Sequence, residues 1–307
     1  MIDAPYASYV PWLLIFLAAM LVGIVAAAVI AGLIFFGFAF VYAPKSLFSR
    51  HPLSAPYANQ KPPPYVWRAL IGEIWTAILF FGFYNAWPFV RGYNMRRGQN
   101  VPPVVFVHGV AVSRTSWFWF MRMLARRGIT RPMYALAFNW LAPVEKSSRR
   151  LARVIERALA EQNATQVDLV AHSWGGFLSR WYIEKLGQGA RVRKLIMIGT
   201  PMRGTWMGVL GVGAPKREMS VGCPTVVALT TAPPSPPYAT LWSDCDEIVV
   251  PPQLSLMLDP DGNAAFVRKF MGIGHLTMQR HPEVADLVAR LLEEPSAWTR
   301  DDTPKTG

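Results

Sequence analysis

Residues 167–176 constrain the fold of this chain more than any other stretch. Apolar residues typical of a buried strand lead into Ser173, and residues typical of a helix follow it. A sharp turn between a strand and a helix strains the backbone of the residue at the turn and lifts its side chain above the sheet. Only small residues fit two positions before and after that residue, and Ala171 and Gly175 stand there. Because a serine hydroxyl alone is a weak nucleophile, the pattern predicts a histidine base and an orienting acid elsewhere.

The predicted base is His275. It lies in a glycine-rich loop after a strand-like run at residues 265–270 and before a helical run at residues 283–292. The order of serine, acid and histidine along the chain is the one expected for this architecture. His281 is the alternative, although its position beside Pro282 is also explained by the start of a helix.

The predicted acid is Asp246, in the acidic cluster at residues 244–247 that follows a strand-like run at residues 238–242. It is preferred to Asp244 because it adjoins the apolar residues 248–250, which favours a buried partner for an imidazole. A solvated turn is the other interpretation of such a cluster.

The developing negative charge on a substrate oxygen requires hydrogen-bond donors. Residues 104–107 form a strand-like apolar run that ends in His108-Gly109-Val110. The backbone amides of Val110 and Trp174 are therefore the predicted oxyanion hole.

Strands and helices alternate after residue 102, which predicts an α/β fold with a mostly parallel sheet and helices on both faces. The predicted strands are residues 104–107, 133–138, 167–171, 194–198, 238–242 and 265–270, and the predicted helices are residues 117–127, 144–162, 176–186 and 283–292. Ligands of such sheets bind at the carboxyl ends of the strands, where Ser173 falls.

Five motifs in this order resemble those of the α/β-hydrolase superfamily, and most closely those of bacterial triacylglycerol lipases. They are Val107-His108-Gly109, Ala171-His172-Ser173-Trp174-Gly175-Gly176, Gly199-Thr200-Pro201, Asp246-Glu247-Ile248 and Gly274-His275-Leu276. The resemblance covers residues 102–293 and implies Ser173 as nucleophile, Asp246 as orienting acid, His275 as base, and no cofactor or metal. Ala171 replaces the usual glycine, and Trp174 stands where methionine is commoner, which predicts a narrower acyl site.

The N-terminal region predicts a membrane helix. Residues 11–43 carry no charge, and the apolar run at residues 12–42 exceeds the roughly 20 residues that cross a bilayer. A cleaved signal peptide would need a basic start and a shorter apolar core, whereas this chain begins with Asp3 and no Lys or Arg. The net charge of +12 is scattered along the chain, which favours anionic lipid over nucleic acid as a partner. We expect a bacterial inner-membrane protein, with the side of its catalytic domain and its oligomeric state open.

The expected domains are a transmembrane helix at residues 1–43, a Pro-rich basic linker with a second apolar helix at residues 44–100, the catalytic domain at residues 101–294, and a disordered tail at residues 295–307. The second apolar stretch, residues 74–90, is marginal in length. It either crosses the bilayer again or lies in its interface.

Two apolar segments are candidates for substrate contact. Residues 117–120 and the glycine-rich residues 204–215 are predicted either to line an acyl pocket and form a flap, or to be core packing and a plain loop. Residues 259–262 are interpreted as a turn rather than a calcium site. Cys223 and Cys245 leave both a disulfide and two free thiols open.

The sequence thus predicts a membrane-anchored serine hydrolase that cleaves carboxylic esters of lipids through an acyl-enzyme. A phospholipase, a thioesterase, an acyltransferase and a catalytically silent membrane adaptor are the alternatives on the same fold.

Overall fold

A computed structural model describes residues 10–42, 48–52, 54–84, 101–230, 236–256 and 265–293. Six strands form one sheet in the order β2-β1-β3-β4-β5-β6, and every neighbouring pair is parallel. The strands are β1 (Val104–Val107), β2 (Met133–Ala135), β3 (Val167–His172), β4 (Val192–Ile198), β5 (Tyr238–Ser243) and β6 (Ala265–Phe270). The predicted parallel sheet is confirmed, and β2 ends three residues earlier than expected.

The helices cover both faces of this sheet. They are α1 (Val10–Gly37), α2 (Val66–Tyr84), α3 (Phe118–Arg126), α4 (Val144–Gln162), α5 (Trp174–Glu184), α6 (Gly213–Glu218), α7 (Pro224–Thr230) and α8 (Pro282–Glu293). Successive residues of a strand point to opposite faces, so β1 contributes Val105 and Val107 to the core with α4 and α5, and Val104 and Phe106 to the core with α3 and α8. This is the α/β-hydrolase fold that the sequence predicted.

The N-terminal helix α1 has two unlike halves. Among the residues that the structure describes, it is the one helix long and apolar enough to cross a membrane, over Pro11–Val41. From Ala28 onward buried residues recur at helical spacing, at Ala28, Gly32 and Phe36 of α1 and at Ala39 in the π-helical turn that follows it. This face packs on α2, and a side chain at Gly32 would stand 2.8 Å from Cγ1 of Ile74.

The segment between α1 and the sheet is attached to the catalytic domain. The indole Nε1 of Trp206 donates to Oγ of Ser54 at 3.1 Å, and the hydroxyl of Tyr65 donates to Oδ2 of Asp244 at 2.6 Å. Helix α2 begins at Val66, eight residues before the predicted apolar stretch. Residues 85–90 of that stretch, the predicted turn at 259–262 and the tail at 295–307 lie outside the described residues.

The two cysteines are unpaired in the described structure. Burial, together with the nearby charge of Asp244, raises the pKa of the Cys245 thiol to about 12. Burial also raises the pKa of the Cys223 thiol, so both thiols are protonated at neutral pH.

Candidate active site

Ser173 lies at the turn between β3 and α5, at the carboxyl end of the sheet. Its backbone is in a strained conformation, with φ 55° and ψ −124°. Hydrogen bonds from its amide to the carbonyl of Ile198, at 2.9 Å, and from the amide of Gly176 to its own carbonyl, at 2.9 Å, hold the turn. A side chain at Gly175 would lie 2.2 Å from the carbonyl oxygen of Val107, so α5 can approach β1 only with glycine there. The sequence prediction of a strained, closely packed serine agrees with this geometry.

His275 and Asp246 are in direct contact. Nδ1 of His275 lies 2.8 Å from Oδ2 and 2.9 Å from Oδ1 of Asp246, and both side chains are buried. The amides of Ile248 and Val249 donate to Oδ1 of Asp246 at 2.9 and 2.8 Å, which fixes the carboxylate as an acceptor.

The two alternative residues make other contacts, Asp244 through its side chain and His281 through its backbone carbonyl. Asp244 accepts hydrogen bonds from the hydroxyl of Tyr65 and, at 3.1 Å, from the amide of Gly272, so it holds the turn before the histidine loop. The carbonyl of His281 accepts the amide of Ala285 at 3.1 Å, in the first turn of α8. Geometry therefore pairs His275 with Asp246 rather than with Asp244.

The electrostatic environment prepares His275 to accept a proton. Burial lowers the pKa of the imidazole, but the charge and hydrogen bond of Asp246 outweigh that effect, and the charge of Glu73 adds to them, so the pKa is raised. The neighbouring His172 has a pKa far below its usual value, chiefly because of burial. Its neutral ring donates from Nε2 to the carbonyl of His275 at 3.0 Å and so holds the loop.

Ser173 stands at the junction of two cavities. The first, which we call the α1–α2 cavity, measures ≈ 180 Å³ and is lined by Ser173 and His275 together with residues of α1 and α2. The second, which we call the flap cavity, measures ≈ 120 Å³ and is lined by Ser173 and residues of the segment 205–219. Phe35 of α1 and Val110 line both cavities. Ser173 and His275 thus share one cavity wall.

The loop that carries Val110 runs close to the serine turn. A side chain at Gly109 would stand 2.9 Å from Cβ of Ser173, which places this loop beside the nucleophile position. Trp174 is the first residue of α5, so its amide belongs to the helix N-terminus, where backbone donors are free of helical partners. Its ring is buried in the core against Phe177, with centroids 5.5 Å apart. Since the ring lies in the core, its position does not support the expectation that the Trp174 side chain narrows the acyl site.

A buried pair of carboxyl groups, Glu73 and Glu247, adjoins His275. The oxygens of Glu73 accept hydrogen bonds from the amide of Leu276 at 2.6 Å and from the amide and hydroxyl of Thr277 at 3.0 and 2.9 Å. Glu247 accepts the amide of His275 at 3.1 Å and is hydrogen-bonded to Glu73. Sequence reasoning missed this pair, because Glu73 is a single acid at the start of the apolar stretch 74–90, 203 residues before Leu276 in the loop that it holds.

Burial raises the pKa of both carboxyl groups. For Glu247, the charges of Glu73 and Asp246 and the hydrogen bond to Glu73 act in the same direction, and its pKa lies well above the usual value. For Glu73, hydrogen bonds from Glu247 and the two loop amides oppose the effect of burial. We therefore assign the shared proton to Glu247 and the negative charge to Glu73.

The structure places the two apolar segments predicted for substrate contact, residues 117–120 and 204–215, in different surroundings. Trp117 and Phe120 are fully buried in the core with Phe106, so core packing is the correct interpretation for these two side chains, whereas Phe118 and Trp119 are half-buried. Residues 206–210 form a 3₁₀ helix, and this segment and α6 line the flap cavity. The second segment thus contacts the cavity that reaches Ser173.

Comparisons with known proteins agree with this fold. The sequence profile of a family described as alpha/beta hydrolase fold matches residues 102–211. Lipase B of Aspergillus fumigatus is 17% identical with a TM-score of 0.59, covering 69% of this chain and 56% of its own. The mature lipase of Bacillus licheniformis is 15% identical with a TM-score of 0.54, covering 66% and 96%. A thermostable carboxylesterase cloned from a metagenomic library is 17% identical with a TM-score of 0.51, covering 65% and 82%. This chain therefore has the α/β-hydrolase fold, and residues 102–211 match the profile of the family described by that fold.

Proposed function

We propose that this protein is a membrane-anchored serine hydrolase that cleaves carboxylic esters of lipids. The observation that carries the proposal is the placement of three side chains. The imidazole of His275, bonded through Nδ1 to Asp246, shares a cavity wall with Ser173 on its strained turn. Such an arrangement activates a serine for acyl transfer.

The reaction follows from the roles of these groups. Oγ of Ser173 attacks the ester carbonyl while Nε2 of His275 takes the hydroxyl proton, and Asp246 stabilises the imidazolium. The amides of Val110 and Trp174 donate to the oxyanion. The bond from the carbonyl carbon to the alcohol oxygen then breaks, and His275 gives its proton to the leaving alcohol. Water, deprotonated by the same imidazole, attacks the acyl-enzyme and releases the acid and the free serine.

Two observations support an ester substrate. The solved structures similar to this chain include lipases and a carboxylesterase. The α1–α2 cavity is also lined mainly by Ala, Ile, Val and Phe side chains, which suit an apolar acyl group.

Retention of α1 as a membrane anchor is part of the proposal. A signal sequence would be removed in the mature protein. Here Ala28, Ala31 and Gly32 of α1 line the cavity beside Ser173, so removal of α1 would take away one wall of the site. The measurement is the N-terminal sequence of the protein purified from the membrane fraction. A mature chain that begins after residue 42 would refute retention.

A fluorophosphonate probe tests the enzymatic part of the proposal. We expect the native protein to be labelled, Ser173→Ala to lose labelling, and His275→Ala to lose at least about a thousandfold in ester hydrolysis. His281→Ala is the matched control and should hydrolyse p-nitrophenyl butyrate at close to the native rate. A native protein that is neither labelled nor active on p-nitrophenyl esters, triglycerides and phospholipids would favour the silent adaptor.

A further inference from the structure

The α1–α2 cavity joins the candidate nucleophile to the apolar N-terminal helix. Four residues of α1 and four of α2 line it together with Ser173 and His275. The α1 residues are Ala28, Ala31, Gly32 and Phe35. They extend over two helical turns, so the cavity runs along the helix rather than across one point of it.

The polar groups of this cavity are few and are already engaged. Besides Ser173 and His275, its carboxyl groups are those of Glu73 and Glu247, which bond to each other and to the amides of the histidine loop. The rest of the lining offers an alkyl chain contact without polar competition. An apolar chain attached to an ester carbonyl at Ser173 fits this distribution.

The length of α1 places the cavity at the bilayer surface. The candidate span Pro11–Val41 has 31 residues, or roughly 46 Å at about 1.5 Å per residue, whereas a hydrocarbon core is about 30 Å thick. The first buried position of α1 is Ala28. None of residues 11–27 before it is buried, and together they span roughly 26 Å, close to the thickness of the hydrocarbon core. The excess length is therefore the half that packs on the catalytic domain and lines the cavity.

The exposed face of α2 carries residues typical of helices that lie at a membrane interface. Trp67, Ile71 and Trp75 recur at intervals of four residues and are 67%, 69% and 58% exposed. Tryptophan concentrates at the level of lipid headgroups, and helices with such a stripe lie in the interface plane. Lipid ester groups occupy the same level, next to the acyl chains.

We propose that the α1–α2 cavity takes one acyl chain of a bilayer lipid, which enters along α1 and presents its ester carbonyl to Ser173. This inference rests on the proposed function and names its substrate as a long-chain lipid ester within the membrane. The N-terminal helix is then a wall of the acyl site as well as an anchor. The flap cavity is left for the alcohol part of the ester.

Filling the cavity from α1 is the first test. Ala31→Leu adds bulk to a lining position, and Ala26→Leu adds the same bulk to an exposed position on the other face of α1. We expect Ala31→Leu to lower kcat/KM for p-nitrophenyl palmitate at least tenfold and for p-nitrophenyl butyrate less than twofold, with neither value changed by Ala26→Leu. An equal effect of Ala31→Leu on both esters, or no effect on either, would overturn the inference.

The second test does not depend on a variant. A hexadecyl fluorophosphonate with a photoreactive diazirine at its chain end is bonded to the native protein in phosphatidylglycerol vesicles and then irradiated. Crosslinks to peptides of α1 or α2 are the expected result, and crosslinks to residues 205–219 would place the chain in the flap cavity and overturn the inference. If neither this probe nor a short-chain fluorophosphonate labels the native protein, the proposed function itself fails.

Discussion

We predict that the same substitution, glutamate to glutamine, has different effects at Glu73 and at Glu247, the two members of the buried pair. If Glu247 carries the shared proton, glutamine is a close substitute for it, since an amide also has one donor side and one acceptor side. The amide of Glu247→Gln can donate to Glu73 and accept the amide of His275 at the oxygen that now does so. We expect a change in the free energy of unfolding of less than about 0.5 kcal/mol, because every hydrogen bond is replaced.

Glutamine is not a close substitute for Glu73. Three donors, the amide of Leu276 and the amide and hydroxyl of Thr277, converge on the two oxygens of Glu73. A glutamine has one oxygen, so in either orientation its NH₂ group faces at least one of these buried donors. Leaving one buried donor unsatisfied costs about 1–3 kcal/mol. Since Leu276 follows His275 directly, we also expect a lower kcat on p-nitrophenyl butyrate.

Thermal unfolding of the two purified variants in the same detergent at pH 7 separates them. A loss of about 2 kcal/mol corresponds to roughly 4–8 °C in a domain of this size, so Glu73→Gln should melt lower than Glu247→Gln by about that interval. Glu145→Gln removes a carboxylate from an exposed pair with Arg149 and is the surface control, with little expected change. Equal melting temperatures, or a lower one for Glu247→Gln, would refute the placement of the proton.

The pH dependence of stability checks the same assignment. The pKa of Glu247 is raised in the folded state, so the folded protein holds a proton that the unfolded chain releases near pH 4.5. Its contribution to stability is complete below that pH and is lost as the pH rises toward the folded pKa. The stability of the native protein relative to Glu247→Gln should therefore decline as the pH rises, and a difference that grows with pH would contradict the assignment.

Three further predictions concern the site and the core. Because the pKa of His275 is raised, kcat/KM for p-nitrophenyl butyrate should fall as the pH drops through a value above 6.5. In Asp246→Asn this fall should occur at lower pH, and the rate itself should be about 10³–10⁴-fold lower. Trp117→Ala should cost about 3–5 kcal/mol in unfolding free energy without changing the ratio of palmitate to butyrate hydrolysis, because the ring is in the core. Gly175→Ala should yield no folded, fluorophosphonate-reactive protein, whereas Gly23→Ala, with nothing within 4 Å of the added carbon, should be labelled like the native chain.

The sequence predicted the sheet and the serine turn well because both depend on local pattern. Runs of apolar residues ended by glycine or polar residues marked the strands, and β3 with α5 was recognised from Ser173 and its small neighbours. The contact of Asp246 with His275 was predicted from chain order and from the apolar residues 248–250 that follow the acid. The structure supplies its physical reason in the amides of Ile248 and Val249, which hold the carboxylate in place.

The role of α2 could not be predicted, because it depends on contacts between residues about 200 positions apart. Glu73 directly precedes the apolar stretch at residues 74–90, which was interpreted as a membrane or interfacial helix, and its carboxylate holds the histidine loop. In the sequence, Gly274 was recognised only as part of the glycine-rich loop that carries His275. A side chain there would stand 2.4 Å from Oε2 of Glu73, so this glycine is required by the close approach of α2.

These contacts connect the N-terminal helices to the chemistry in two independent ways. Helix α2 holds the backbone that follows His275, and α1 supplies a wall of the cavity in which Ser173 stands. Since α1 packs on α2 through Gly32 and Ile74, a shift of α1 in the bilayer would reach the histidine loop through Glu73. From the proposed function, we expect ester hydrolysis to be fastest when α1 is seated in a membrane whose thickness matches its apolar length. The hydrolysis rate of a short, water-soluble ester such as p-nitrophenyl butyrate should accordingly vary with the acyl length of the host lipid, and equal rates in all host lipids would contradict this coupling.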